Sequence, residues 1–442
     1  MTERDTGSAK VVLGRTLGFL DDPADVGEAA SHRFEEQGAL VVGPNGRIVW
    51  SGGRADLPDD FARLPREDYG TAIVLPGFID AHVHFPQHRM LAAPGVDLLD
   101  WLKRFTFQEE ARYADRTHAD AAAEAFLDTL IAHGTTSAAV FSSVHAEATD
   151  ALFSAARDRG MALVAGKTMM DRNAPEEVRD EAEQSARDSE ALIDRWHGTD
   201  RLRYAITPRF AFTSTEAQLA VCGSLVAAHP DVMLQTHLAE SPGEIEEVRR
   251  LYPWSKDYTE VYDRFGLLGS RSLFAHGIHL SERECARLHE TGSVIVHCPT
   301  SNSFLGSGLF DIDHVGDRRR PIRLSVATDI GGGTSYSLLA TLGEAYKVAR
   351  LSGRRLGSLR AFYLATLGNA RALGLEAEIG GLELGRFADL VVLDPCATPV
   401  LARRQELSES LADVLFSLML LGDDRAVRAT YVAGERRKGE AP

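Results

Sequence analysis

The sequence predicts an α/β fold: a closed (β/α)8 barrel of the TIM type, with a small β-sandwich domain built from both termini. Three observations predict it. Short apolar runs alternate with helical segments through the middle of the chain, and eight such runs can be counted. Both chain ends are rich in strands and turns instead. At 442 residues the chain is too long for one ordinary domain and suits a large barrel with an accessory unit.

The elements follow in order. Near the N-terminus, Val11–Gly14, Gly38–Gly43 and Arg47–Gly52 read as strands, the last two joined by a Pro44-Asn45-Gly46 hairpin turn. At the other end, Phe387–Asp394 and Ala429–Gly434 read as strands. These ends set a small β domain at residues 1–75 and 380–442, around a barrel at 76–379. Barrel strands are expected at Ile73–Asp80, Thr135–Phe141, Ala162–Lys167, Leu202–Pro208, Val232–His237, Ser272–His276, Ser293–His297 and Arg323–Asp329. Most are rich in Val, Ile or Leu, as strands buried on both faces must be. Between them lie helical segments such as Ala119–His133 and Glu244–Leu251. A doubly wound open sheet is the alternative arrangement of the same elements.

Composition and charge exclude several functions. The net charge of −16 and the absence of a basic stripe argue against a nucleic-acid partner. Asp317-Arg318-Arg319-Arg320 is short and reads as a solvated loop. No apolar run reaches the length of about 18 residues that a membrane span needs. The polar start MTERDTGSAK does not read as a signal peptide. Cys222, Cys285, Cys298 and Cys396 are scattered and form no CxxC pair, so neither a disulfide framework nor a thiolate zinc site is expected. The reducing cytoplasm is the simplest location.

The chemistry gathers at the strand ends. The first barrel strand runs into Asp80-Ala81-His82-Val83-His84, and residues two apart on a strand face the same side, so both imidazoles can converge on one metal. The fifth ends in Thr236-His237-Leu238-Ala239-Glu240, the sixth in Ala275-His276-Gly277, and the eighth in Ala327-Thr328-Asp329 before three glycines. In a barrel all C-terminal strand ends share one opening, where the active site lies. Each piece alone is weak and more often a structural residue; the case rests on their convergence at four strand ends. His82, His84, His237 and Asp329 then make a metal site suited to one zinc ion per chain, with iron as the alternative. A water at an open coordination position would have its pKa lowered toward neutrality. Asp329 can accept a proton from it, His276 can orient it, and Glu240 is placed to act as general acid and base. His145-Ala146-Glu147 matches half of an unrelated zinc-deaminase signature, but Pro395-Cys396 lacks the partner cysteine, so His145 reads as a loop residue.

At this point the sequence resembles the amidohydrolase superfamily, on PGFIDAHVH, THLAE, AHG and ATD. A narrower resemblance within it rests on His84-Phe85-Pro86-Gln87, Trp101-Leu102 with Phe105-Thr106-Phe107, Gly166–Asn173, Thr207-Pro208-Arg209-Phe210, His297–Asn302 and Thr328–Ser335. It spans nearly the whole chain and points to the branch acting on the purine base guanine. The resemblance implies metal ligation by His82, His84, His237 and Asp329, and places His276 beside the metal's water. It implies substrate contacts from Gln87, Arg209, Phe210, His237 and Glu240, with Trp101 as a pocket wall. The implied reaction is hydrolysis of guanine to xanthine and ammonia in a cytoplasmic homodimer. The residue chemistry agrees, because the C6 carbonyl of guanine needs donors, and Arg209 and Gln87 supply them. A related hydrolase that deaminates or dechlorinates another heterocycle is the competing expectation, and a non-catalytic scaffold barrel would be expected to lose these ligands.

Overall fold

The computed structural model describes residues 9–440. Residues 1–8, most of the polar start read above as carrying no export signal, lie outside the described residues. Among the described residues, two sheets organise the chain. One is a seven-stranded mixed sheet drawn from both ends, ordered Glu435–Lys438, Val427–Val432, Leu390–Leu393, Arg66–Pro76, Lys10–Phe19, His32–Val42 and Ile48–Gly53. The two ends of the chain meet where Leu390–Leu393 runs antiparallel to Arg66–Pro76. The expected hairpin is present, with Gly43 N donating to Arg47 O across the Pro44–Gly46 turn.

The second sheet is the barrel. Its eight strands run parallel in chain order: Phe78–His84, Thr135–Phe141, Ala162–Gly166, Leu202–Pro208, Met233–Leu238, Ser272–His276, Val294–His297 and Arg323–Val326. Ile79, Ala139, Val164, Met233, Leu273 and Val294 pack together as its interior. Chain-order neighbours throughout are incompatible with the doubly wound alternative, in which the strand order reverses. The helices sit as expected, at Arg116–Ala132 and Pro242–Leu251 for the two named above, with Asp115 and Ser241 as their N-caps.

One predicted strand is corrected. Ile73–Asp80 is the junction of two strands in two sheets, Arg66–Pro76 in the mixed sheet and Phe78–His84 in the barrel. Apolar residues run through the junction without interruption, which hides it. Gly77 makes the handover possible, because a Cβ there would lie 2.2 Å from Thr136 Oγ1. The first barrel strand therefore starts later than expected, and His82 and His84 lie within it.

The seam between first and last strands is closed by side chain and backbone together. Asp329 N donates to His82 O at 3.0 Å and His84 N to Ile330 O at 2.6 Å. Below them, the buried Asn369 amide fills the gap. Its Nδ2 donates to Ile79 O at 2.6 Å and Val326 O at 2.8 Å, and its Oδ1 accepts from Ser325 Oγ at 2.6 Å and Val326 N at 3.1 Å. Replacing Asn369 with Ala orphans buried groups on both strands and is expected to cost about 3 kcal/mol. Denaturant unfolding measures it; a loss within experimental error would show that the seam does not depend on this amide.

Candidate active site

The candidate metal donors come from three barrel strands. His82 and His84 share one side of the first strand, and Asp329 follows the eighth. His82 Nε2 lies 3.2 Å and His84 Nε2 3.4 Å from Asp329 Oδ1. His84 Nε2 is 3.2 Å from His237 Nε2. His237 donates Nδ1–H to Arg209 O at 2.7 Å, which leaves the Nε2 lone pair facing the cluster. Burial of the imidazoles holds His237 well below the usual histidine range and His84 down to about 3, so both are neutral ligands. Burial pushes the Asp329 carboxyl up, but the neighbouring His82 and His84 outweigh it and hold it well below the usual range. Asp80 braces the group from beneath, accepting from Thr328 N at 3.0 Å and from the Thr328 hydroxyl.

The residues present fit a metal ion. His82 Nε2 is buried with no hydrogen-bond partner, a costly state in a folded interior unless an ion completes it. Donor atoms of His82, His84, His237 and Asp329 all lie within 4.8 Å of one another. A second grouping substitutes His276 and Cys298 for His84 and His237. It is the poorer one, because burial pushes the Cys298 thiol well above its ordinary range and a thiol ligates as thiolate. His145 caps the helix Ala146–Arg159 and belongs to neither grouping, in line with its reading as a loop residue.

His276 and Glu240 stand beside this cluster. His276 donates Nδ1–H to Asn302 Oδ1 at 2.8 Å, so its unpartnered Nε2 is an acceptor, 3.8 Å from Asp329 Oδ2 and 3.4 Å from Glu240 Oε2. Glu240 Oε1 accepts from Ser307 Oγ at 3.1 Å. Burial, with the charge of Asp329 adding to it, pushes the Glu240 carboxyl up to about 8. Such a group carries a proton at neutral pH. Its backbone is fixed by the next helix, whose Glu244 accepts from Glu240 N at 3.0 Å while closing a capping box with Ser241. Ala239, His276 and Asp329 have φ of 49°, 71° and 54°, a left-handed conformation that non-glycine residues adopt at a cost. The strand ends hold strained backbone where the chemistry gathers.

The predicted substrate residues share a cavity with this cluster. One pocket is lined by the apolar Leu98, Trp101, Leu102 and Phe210, by Gln87 and Arg209, and by His84, His237, Glu240, His276 and Asp329. All the predicted site residues line it except His82, which lies behind. Gln87 Oε1 accepts from Gly331 N at 3.2 Å, and a Cβ at Gly331 would lie 2.8 Å from Gln87 O. The glycine run after Asp329 thus brings backbone against the substrate end. Arg209 serves twice: its carbonyl orients His237, and the residue lines the pocket while its guanidinium pairs with Glu110.

Sequence reasoning missed three residues here. Asn302 and Ser307 set the hydrogen bonding of His276 and Glu240; Asn302 falls in a segment already singled out, whereas Ser307 carries no signal. Glu110 is the third. It is buried behind the pocket and accepts from Gln87 Nε2 at 2.8 Å and from Arg209 Nη1 at 2.7 and 2.9 Å. A second glutamate beside Glu109 in a charged helical turn looks like a solvated face.

The fold and the donor set together define a metal-dependent hydrolase barrel. The amidohydrolase family matches residues 73–437. The chain is 45% identical to the guanine deaminase of Escherichia coli K12 over 94% of each chain. The solved structure of an E. coli guanine deaminase superposes with a TM-score of 0.92 at 42% identity, covering 98% of this chain and 99% of that one. The guanine deaminase of C. acetobutylicum, solved with guanine bound in its active site, superposes with a TM-score of 0.87 at 29% identity, covering 97% and 100%. The chain belongs to the amidohydrolase family and, within it, to the guanine deaminases. Among the described residues, no helix is long and apolar enough to cross a membrane.

Proposed function

We propose that this chain hydrolyses guanine to xanthine and ammonia, with zinc held by His82, His84, His237 and Asp329. The observation that carries the reading is one pocket lined both by residues of the metal-donor cluster and by Gln87 and Arg209, whose side chains carry N–H donors. The purine C6 carbonyl lies against the donors, which turns C2 and its amino group toward the cluster. The apolar wall of Leu98, Trp101 and Phe210 packs on the flat ring and excludes bulk water.

His82, His84, His237 and Asp329 would hold the zinc, which when bound would supply Lewis acidity that lowers the pKa of a water molecule toward neutrality. His276 Nε2 accepts a hydrogen bond from that water and aims it at C2. Asp329 Oδ2 takes the water's proton. Glu240 gives its proton to ring nitrogen N3, so charge does not accumulate in the ring. Asp329 then passes a proton to the departing amine, ammonia leaves, and Glu240 recovers its proton from the product. The reading includes a cytoplasmic homodimer, whose mass light scattering measures.

The test is release of ammonia from guanine set beside adenine, cytosine and a chlorotriazine. Guanine is expected to be the best substrate by at least about a hundredfold. A preference for any of the others would overturn the proposal. Removing the metal with a chelator is expected to abolish ammonia release, and adding zinc back to restore it. Full activity in protein shown by elemental analysis to hold no metal would contradict the assignment of the four ligands.

A further inference from the structure

We propose that Glu110, outside the pocket lining, is a positioning residue that sets the preference for a ring carbonyl over a ring amine. The proposal rests on the reading of the pocket as a guanine site. Its basis is a short chain of hydrogen bonds. Gln87 is held at both ends of its amide: Oε1 accepts from the backbone N–H of Gly331, and Nε2 donates to Glu110 Oε1. A backbone N–H can only donate and a carboxylate can only accept, so both contacts agree on which end of the amide is nitrogen. The second Nε2 hydrogen is left for the pocket.

The same carboxylate takes Arg209 Nη1 on both of its oxygens, at 2.7 and 2.9 Å, in a pair buried on both sides. That fixes the guanidinium with its remaining N–H groups free of any protein acceptor among the described residues. One acceptor-only group behind the wall therefore turns both side chains donor-first toward the ligand. An exocyclic oxygen meets two donors there. An exocyclic amine meets two donors with nothing to accept its hydrogens, which a buried site penalises. Glu110 comes from Phe107–Ala111, which follows Leu98–Trp101 and Leu102–Thr106 in one continuous helical stretch, so the segment that lends Leu98, Trp101 and Leu102 to the wall also carries this brace.

Glu110→Gln tests it. The amide that replaces the carboxylate can donate as well as accept, so Gln87 is no longer held in one orientation and Arg209 loses its counter-charge. The substrates are guanine and 2,6-diaminopurine, which share the C2 amine and differ in carbonyl against amine at C6 and in the hydrogen that the carbonyl form carries on N1. The variant is expected to lose about a hundredfold in kcat/KM on guanine and less than about threefold on 2,6-diaminopurine, with metal content unchanged. Equal losses on both substrates, or no loss on either, would overturn the proposal. Glu110→Asp keeps the charge and withdraws it by one methylene. It is expected to keep the selectivity and lose about tenfold on guanine; an unchanged rate, or selectivity lost with the charge retained, would also overturn it. Wild-type enzyme in the same assay separates the two levels: failure to prefer guanine would remove the functional reading itself, whereas guanine preference with an unmoved Glu110→Gln ratio would remove only the role of Glu110.

Discussion

Glu240→Gln is expected to lower kcat on guanine by about a thousandfold while leaving the metal in place. Glu240 is outside the four-residue donor set, so removing its acidity does not remove a ligand. The amide keeps the size and can still bond to Ser307, but it cannot give and recover a proton. The loss should therefore fall on kcat, with KM changed by no more than a few-fold. Burial that pushes the carboxyl up to about 8 is what lets wild-type Glu240 arrive protonated at neutral pH. Steady-state kinetics with elemental analysis checks the prediction. A variant within tenfold of wild type would mean that another group protonates the ring.

Arg209→Ala is expected to cost at least about a hundredfold in kcat/KM on guanine, again with metal retained. Metal retention follows from the division of labour within Arg209. Its backbone carbonyl, which the substitution keeps, orients His237; its side chain is the part proposed to read the substrate. The same change leaves the buried Glu110 carboxylate without its cation, at an expected cost of about 3–5 kcal/mol in stability. Unfolding and kinetics must therefore be measured on the same preparation below the lowered melting temperature. Loss of metal from a folded Arg209→Ala protein would contradict the separation of roles.

The parts legible in the sequence were those with local periodicity. His82 and His84 are two apart on a strand, and that spacing alone puts both imidazoles on one side. His237, His276 and Asp329 follow apolar runs, and a barrel brings the ends of such runs together whatever lies between them. The handover at Pro76-Gly77 was illegible because apolar residues serve a buried strand equally well in either sheet. Glu110 was illegible for a different reason: its partners are 23 and 99 positions away in the chain, and nothing local distinguishes it from Glu109. Distinctiveness of sequence also misleads about role. In the Gly166–Asn173 run, Lys167 pairs with Asp180, Asp171 holds Thr215, and Arg172 reaches Tyr252, so these side chains tie together the segments that follow the strand ends and do not line the pocket.

In the proposed reaction this pocket directs water onto C2 of a guanine ring held by its C6 carbonyl. Turnover of guanine in water enriched in heavy oxygen, with mass spectrometry of the product, tests it most directly. Xanthine is expected with one heavy oxygen, at C2, the original oxygen kept at C6, and one ammonia released per xanthine formed. Label at C6, or a product other than xanthine, would contradict it.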